Sequence, residues 1–338
     1  MFKFIVKRIL MLIPVLIGVS IIVFLIMRVF SPDPAPFVLG QHATIEAANE
    51  WREANGLNDP IYIQYFNFIK GVLSGDLGTS YYTKTPVIEE IISRFPATIE
   101  LAIAAIIFAS LIGILLGILA AVKKNTIVDH AGMVIALVGV SMPIFWLGIL
   151  MIILFAGVLH ILPSGGRIDP LLQPFGGSGF YIIDTLLLGD TEALVDALRH
   201  IILPALALGM YSMAIIARMT RSSMLETLNQ DYIRTARAKG ISERKVVSHH
   251  ALRNAMIPVS TVIGLQLGSL LGGAVLTETV FSWPGIGNYT VQCILKSDFP
   301  VVQGVVMLIA CTFVLINLIV DIVYAFIDPR IKLAKKEV

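Results

Sequence analysis

The sequence predicts an all-α integral membrane protein with six transmembrane helices and both termini on the cytoplasmic side. Composition is the first observation: 57% of the 338 residues are hydrophobic, 14% are charged, and the mean hydropathy is +0.85. That balance excludes an ordinary soluble domain. The second is the presence of six mainly apolar runs of about twenty residues, the length that crosses a hydrocarbon core. The third is the sorting of Lys and Arg into alternate loops, which orients the spans.

The first span is placed at residues 9–30. Lys3, Lys7 and Arg8 precede an apolar run longer than a signal-peptide core of roughly 7 to 15 residues, and no A-x-A site follows, so a retained signal anchor is expected. Residues 31–95 form a first acid-rich outside segment. Within it Asp59-Pro60 and Thr85-Pro86 signal two helix starts. The second of these carries Val87, Ile88, Ile91, Ile92 and Phe95, and both helices are expected to lie on the membrane surface or on each other. Between them G-D-L-G-T-S, residues 75–80, reads by itself as a glycine turn.

The core is residues 96–328, with spans at 97–122, 133–159, 200–219, 258–280 and 301–327, followed by a basic tail at 329–338. Gly113 and Gly117 form a small-xxx-small pair in the second span, and Gly264, Gly268 and Gly272 a stripe in the fifth; both predict close helix packing. Ser141 and Pro143 predict a bend in the third span. The second outside segment, 160–199, reads as a mobile Gly/Pro-rich loop followed by a helix from Thr191.

One polar stretch stands apart. Residues 231–258, which overlap a basic loop at 220–257, read as a helix-turn-helix elbow: Asp231 caps a short helix through Lys239, Gly240 supplies the left-handed turn, and Ser242 caps a second helix running toward Pro258. Alone, such an elbow admits a nucleic-acid motif, a lipid-headgroup binder or a docking knob for a cytosolic partner. Its place between two membrane spans decides against nucleic acid. The basic charge also obeys the positive-inside rule and suits contact with anionic lipid.

No phosphate-binding loop, H-E-x-x-H or G-x-S-x-G is present, so no ATP site, metal site or catalytic constellation is expected. Cys293 and Cys311 make neither a disulfide framework nor a metal set. Candidates to line a path are Ser141, Gln266, Ser269 and Asp321. Asp321 shares a face with Asn317; it reads as a gating or relay carboxylate, or as an interhelical hydrogen bond near the headgroups. With no relay of carboxylates and no internal repeat, a self-powered secondary transporter has little to work with.

The elbow residues Tyr232, Arg234, Thr235, Ala236, Arg237, Ala238, Lys239 and Gly240, with His250, Ala251, Leu252, Arg253 and Asn254, resemble the EAA loop of binding-protein-dependent ABC importer permeases. The variant is that of the peptide and nickel branch: Arg234, Thr235 and Ala236 stand where the wider family has Glu, Ala, Ala, Arg253 stands where it has Pro, and Gly240 matches. G-D-L-G-T-S, T-E-T-V-F-S-W-P-G-I-G-N-Y at 277–289 and the closing D-P-R-I-K extend the resemblance over essentially the whole chain. The resemblance implies a type I permease in the bacterial cytoplasmic membrane, with the elbow as coupling helix in a groove of an ATPase subunit. Implied partners are a homologous second permease, one or two kinds of cytosolic ATPase carrying ATP and Mg, and an extracytoplasmic binding protein. The implied cargo is a di- or oligopeptide, with nickel or another small solute as the alternative.

Overall fold

A computed structural model of the protein describes residues 2–40, 43–174 and 177–327. The predicted tail at 329–338 and the side chain of Asp321 lie outside the described residues. Helices dominate; among the described residues the only β pairing is an isolated bridge between Thr79 and Pro86.

In chain order, α1 (Phe2–Leu25) continues through a π-helical segment (Ile26–Phe30), and three short helices follow: α2 (Ala35–Leu39), α3 (Ile45–Ala54) and α4 (Ile61–Ser74). Then come α5 (Val87–Val122), α6 (Ile127–Ser141), α7 (Ile144–Met151), α8 (Tyr181–Leu188) and α9 (Thr191–Leu228). The chain closes with α10 (Asp231–Ala238), α11 (Glu243–Lys245), α12 (Leu252–Gly273), α13 (Val275–Val280), α14 (Ile286–Leu295) and α15 (Phe299–Ile327). Among the described residues five helical stretches are long and apolar enough to cross a membrane, and α6 with α7 makes a sixth, bent by 105° at its break.

The core forms where α5 and α9 pack along their lengths. Leu101, Ala105 and Ala109 meet Ile201, Leu208 and Ile216, and Val259 and Leu270 of α12 close the third side. Small residues permit this approach. A Cβ on Gly117 would lie 2.5 Å from Thr220 Cβ, and one on Gly113 would lie 2.8 Å from the Met213 carbonyl. The predicted stripe in α12 packs on α15, most tightly at Gly264, where a Cβ would sit 2.6 Å from Val320 Cγ2. Gly117→Leu is therefore expected to cost at least about 1–3 kcal/mol by forcing α5 off α9. Thermal unfolding in detergent checks this against Gly18→Leu, where nothing lies within 4 Å of the added Cβ.

Four sequence expectations change. Residues 87–95 are not a separate surface helix but the first turns of α5, which runs unbroken through Pro96. Pro86 in an extended conformation starts that helix, and the Thr85 hydroxyl donates to Glu90 at 2.8 Å, holding its first turn. At Ser141–Pro143 the chain does more than bend: Met142 and Pro143 are both extended, so α6 ends and α7 starts afresh. Proline forces the residue before it out of helical geometry, and no partner helix restores it here. The fifth span stops at Gly273 rather than 280, giving way to α13 and α14. The fourth fuses with its predicted entry helix and runs on to Leu228, so residues 220–228 of the predicted loop belong to that helix.

Candidate functional site

The elbow is built on three helix ends. Gln230, extended at φ −73° and ψ 151°, precedes α10, so Asp231 is the first helical residue and not the cap expected from the sequence. Its carboxylate in the first turn still suits the helix dipole. Ile233 and Ala236 lie three residues apart on one face and are 0% and 7% exposed. They pack with Ala121 at the end of α5, Met224 of α9, Val246 and Ala251 just before α12, and Ala255 in its first turn.

Gly240, at φ +75°, makes the expected left-handed turn. Its amide donates to the Arg237 carbonyl at 2.9 Å and that of Ile241 to the Ala236 carbonyl at 3.3 Å, closing α10. Ser242 is extended ahead of α11, but its side chain makes no capping bond. From Glu243 the helix continues through a π-helical segment (Val246–Ala251) directly into α12, and Pro258 does not interrupt it. The second helix of the elbow is thus the base of the fifth span.

Asp231, Tyr232, Arg234, Thr235, Arg237, Ala238, Lys239, Gly240, Ser242, Arg253 and Asn254 are exposed, whereas Ala236 is buried and His250 half-buried. Two cross-links brace the turn. Arg237 donates to both oxygens of Glu243, at 3.0 and 2.6 Å, and Asn254 donates to the Tyr232 hydroxyl at 2.7 Å and the His250 carbonyl at 3.2 Å. Arg237 is exposed and paired with Glu243 within the elbow; Lys239 makes no ion pair among the described residues. The His249 and His250 rings stand perpendicular at 5.3 Å, and no group of three metal-capable side chains occurs among the described residues.

Sequence reasoning missed the apolar anchors Ile233 and Val246, though the 233/236 spacing in a polar helix was their signal. It also missed a strut beside the elbow: Arg221 of α9 donates to Asp129 of α6 at 2.6 and 2.8 Å, and Asp129 is 2% exposed.

At the end of the bundle opposite the elbow, three carboxylates are buried in closed clusters that sequence reasoning did not find. Glu100 of α5 accepts two bonds from Arg167, at 3.0 and 2.6 Å, and one from the Ile182 amide at 2.8 Å. Arg167 also donates to the Gly179 carbonyl at 2.7 Å and lies 3.9 Å from the Tyr181 ring centroid. Glu278 of α13, fully buried, accepts from the Thr98 hydroxyl at 2.7 Å and the Asn288 amide at 2.9 Å. A Cβ at Gly285 or Gly287 would strike its carboxylate. Trp283 donates to the Ala97 carbonyl at 2.9 Å. Asp298 accepts from the Ser80 hydroxyl at 2.6 Å and the Tyr81 amide at 3.1 Å, so the G-D-L-G-T-S turn is a dock as well as a turn. Burial pushes the Glu278 and Asp298 carboxyls above the usual range, against the pull of these hydrogen bonds.

Among the described side chains, Ser141, Gln266 and Ser269 make no hydrogen bond to one another. Ser141 donates to the Leu137 carbonyl at 2.8 Å, and Gln266 accepts from Ser212 of α9 at 3.0 Å. Ser269 is exposed on α12, and the Asp321 side chain lies outside the described residues.

Spans packed on glycine seams, with a braced amphipathic elbow at one end and locked polar clusters at the other, define a multi-pass membrane transport subunit. The chain belongs to the family of binding-protein-dependent transport system inner membrane components, whose profile matches residues 113–333, with the companion N-terminal profile on 1–102. It is a non-catalytic inner-membrane permease. It is 50% identical over 98% of its length to the dipeptide transport system permease protein DppB of Alkalihalophilus pseudofirmus, all of which is covered. It is 45% identical to the DppB of Escherichia coli K12 and 46% to the di/tripeptide permease DppB of Pseudomonas aeruginosa, over 98% of this chain and 99% of each relative. Among solved structures, a chain of the inward-facing MetNI methionine ABC transporter has the same fold, with a TM-score of 0.52 at 19% identity over 69% of this chain and 93% of that one.

Proposed function

We propose that the chain is one of two homologous permeases of an ABC importer that carries di- or oligopeptides inward, driven by cytosolic ATPases seated on the elbow. ATP and Mg are held by those partners, and a substrate-binding protein delivers cargo at the opposite face. In this reading both termini and the elbow are cytoplasmic. The observation that carries it is the continuity of α11 and α12. A partner gripping the exposed face of α10 moves a lever that ends in a membrane span, while Ile233 keeps α10 fixed to the ends of α5 and α9. Peptide cargo is supported by relatives named for dipeptides, di/tripeptides and glutathione.

The test is uptake of a labelled dipeptide into liposomes holding the assembled complex, with ATP supplied to the ATPase side. Uptake is expected only with ATP and ATPase; uptake by this chain and its companion permease alone would contradict the reading. Gly240→Val is expected to lower uptake per ATP hydrolysed several-fold while leaving membrane insertion intact, because a β-branched residue resists φ +75°. Lys239→Glu is expected to weaken ATPase co-purification more than Arg237→Gln does, since Arg237 already has a partner in Glu243.

A further inference from the structure

A polar cavity lies away from the elbow and next to the Asp298 cluster, with Tyr81 forming part of its wall. It has a volume of about 380 Å³, and its walls include Arg28 at the end of the first span, Gln303 of α15, Gln64 of α4, and Asp59 and Asp76 at the two ends of α4. Its polar wall is unsatisfied. Arg28 Nε and Nη1, Gln303 Nε2 and Gln64 Oε1 are buried without a hydrogen-bond partner among the described residues. Gln303 is only 4% exposed.

Buried donors with nothing to donate to are costly and uncommon, and each calls for a ligand or a water. The Arg28 guanidinium lies 5.1 Å from the Phe299 ring centroid and 5.8 Å from that of Phe24. Both rings and the Tyr81 side chain lie close to a planar donor group whose Nε and Nη1 remain unpaired. A planar fork of this kind matches an oxyanion with two coplanar oxygens, such as a phosphodiester. Gln303 adds a donor from a second helix.

The setting identifies the source of the oxyanion. Arg28 belongs to the span Leu10–Phe30, and Leu25, Ile26, Val29 and Phe30 around it are exposed apolar side chains. The cavity therefore sits where a span meets the polar boundary of the membrane, with an apolar helix face beside it. Asp59 and Asp76 are exposed carboxylates on the same cavity. They would repel a purely anionic headgroup and attract one that also carries an amine.

We propose that this cavity binds a phosphoethanolamine group, supplied by a phospholipid: the phosphate against Arg28 and Gln303, the ammonium toward Asp59 or Asp76, and the acyl chains along the exposed face of α1. Free phosphoethanolamine offers the same chemistry, and the experiment separates the two.

The full-length chain is reconstituted in nanodiscs containing equal parts phosphatidylethanolamine, phosphatidylglycerol and phosphatidylcholine, extracted gently, and its retained lipid quantified by native mass spectrometry. The expected result is about tenfold enrichment of phosphatidylethanolamine over the other two, a difference within reach of two or three charge-assisted bonds. Gln303→Leu and Arg28→Gln should each remove most of it, and Asp59→Asn with Asp76→Asn should abolish the preference over phosphatidylcholine. Equal retention of all three lipids, or unchanged enrichment in Gln303→Leu, would overturn the proposal. Displacement of the retained lipid by millimolar free phosphoethanolamine would overturn the lipid as source. Should a variant fail to fold, a photoreactive phosphatidylethanolamine on the unaltered chain decides: cross-links within residues 55–81 and 300–303 are expected, and cross-links confined elsewhere would overturn the site.

Discussion

Arg167→Met is expected to destabilise the protein by about 3–5 kcal/mol, the usual result of removing one partner of a buried ion pair. Arg167 and Glu100 have side chains only 5% and 8% exposed, and α5, the loop before α8 and the first turn of α8 meet on them. Without the guanidinium the Glu100 carboxylate keeps the Ile182 amide at 2.8 Å but loses its countercharge. The double variant Glu100→Gln/Arg167→Met should recover much of the loss, because no buried charge is then left alone. Thermal unfolding followed by tryptophan fluorescence reads both; with Trp51 and Trp146 replaced by Phe, Trp283 beside the pair is the remaining emitter and the signal is local. A double variant no more stable than the single one would show that the pair is not what fixes this corner.

Ile233→Asp is expected to release α10 from the bundle and reduce ATP-driven uptake by at least tenfold. Ile233 is fully buried among helix ends, and even truncation of such a side chain to Ala costs about 2–5 kcal/mol. Against that cost α10 has little else: it is eight residues long, and its other buried residue is Ala236. An isolated helix of that length does not persist in water. The spans do not depend on α10, so the variant should still insert and still bind its companion permease. Uptake and permease co-purification, measured on the same preparation, separate loss of coupling from loss of folding.

The sequence reveals its fold where the signal is local. Apolar runs mark the spans, and the glycines at 113, 117, 264 and 268 mark faces that do meet other helices. Gly240 declares its turn because few other residues adopt φ +75°. What stays hidden depends on distant partners or on continuity. Nothing near Glu100 announces Arg167, 67 positions away. Pro96 looks like a boundary, yet α5 passes through it. Val275, Leu276 and Val280 carry apolar character past Gly273 and conceal the end of the span, although α13 is too short to cross. In the elbow, the charged residues drew attention by their sign, while the position of α10 rests on Ile233 and Val246, which are inconspicuous in so greasy a chain.

In the proposed reading the elbow seats the ATPase. The most direct measurement is purification in mild detergent of the tagged chain from the assembled complex, with residues 231–253 intact or replaced by a neutral linker of equal length. With the intact chain, the companion permease and ATPase should both be recovered; with the linker, the permease should remain and the ATPase be lost. ATPase recovered equally with the linker would place its seat elsewhere on the protein and contradict the account.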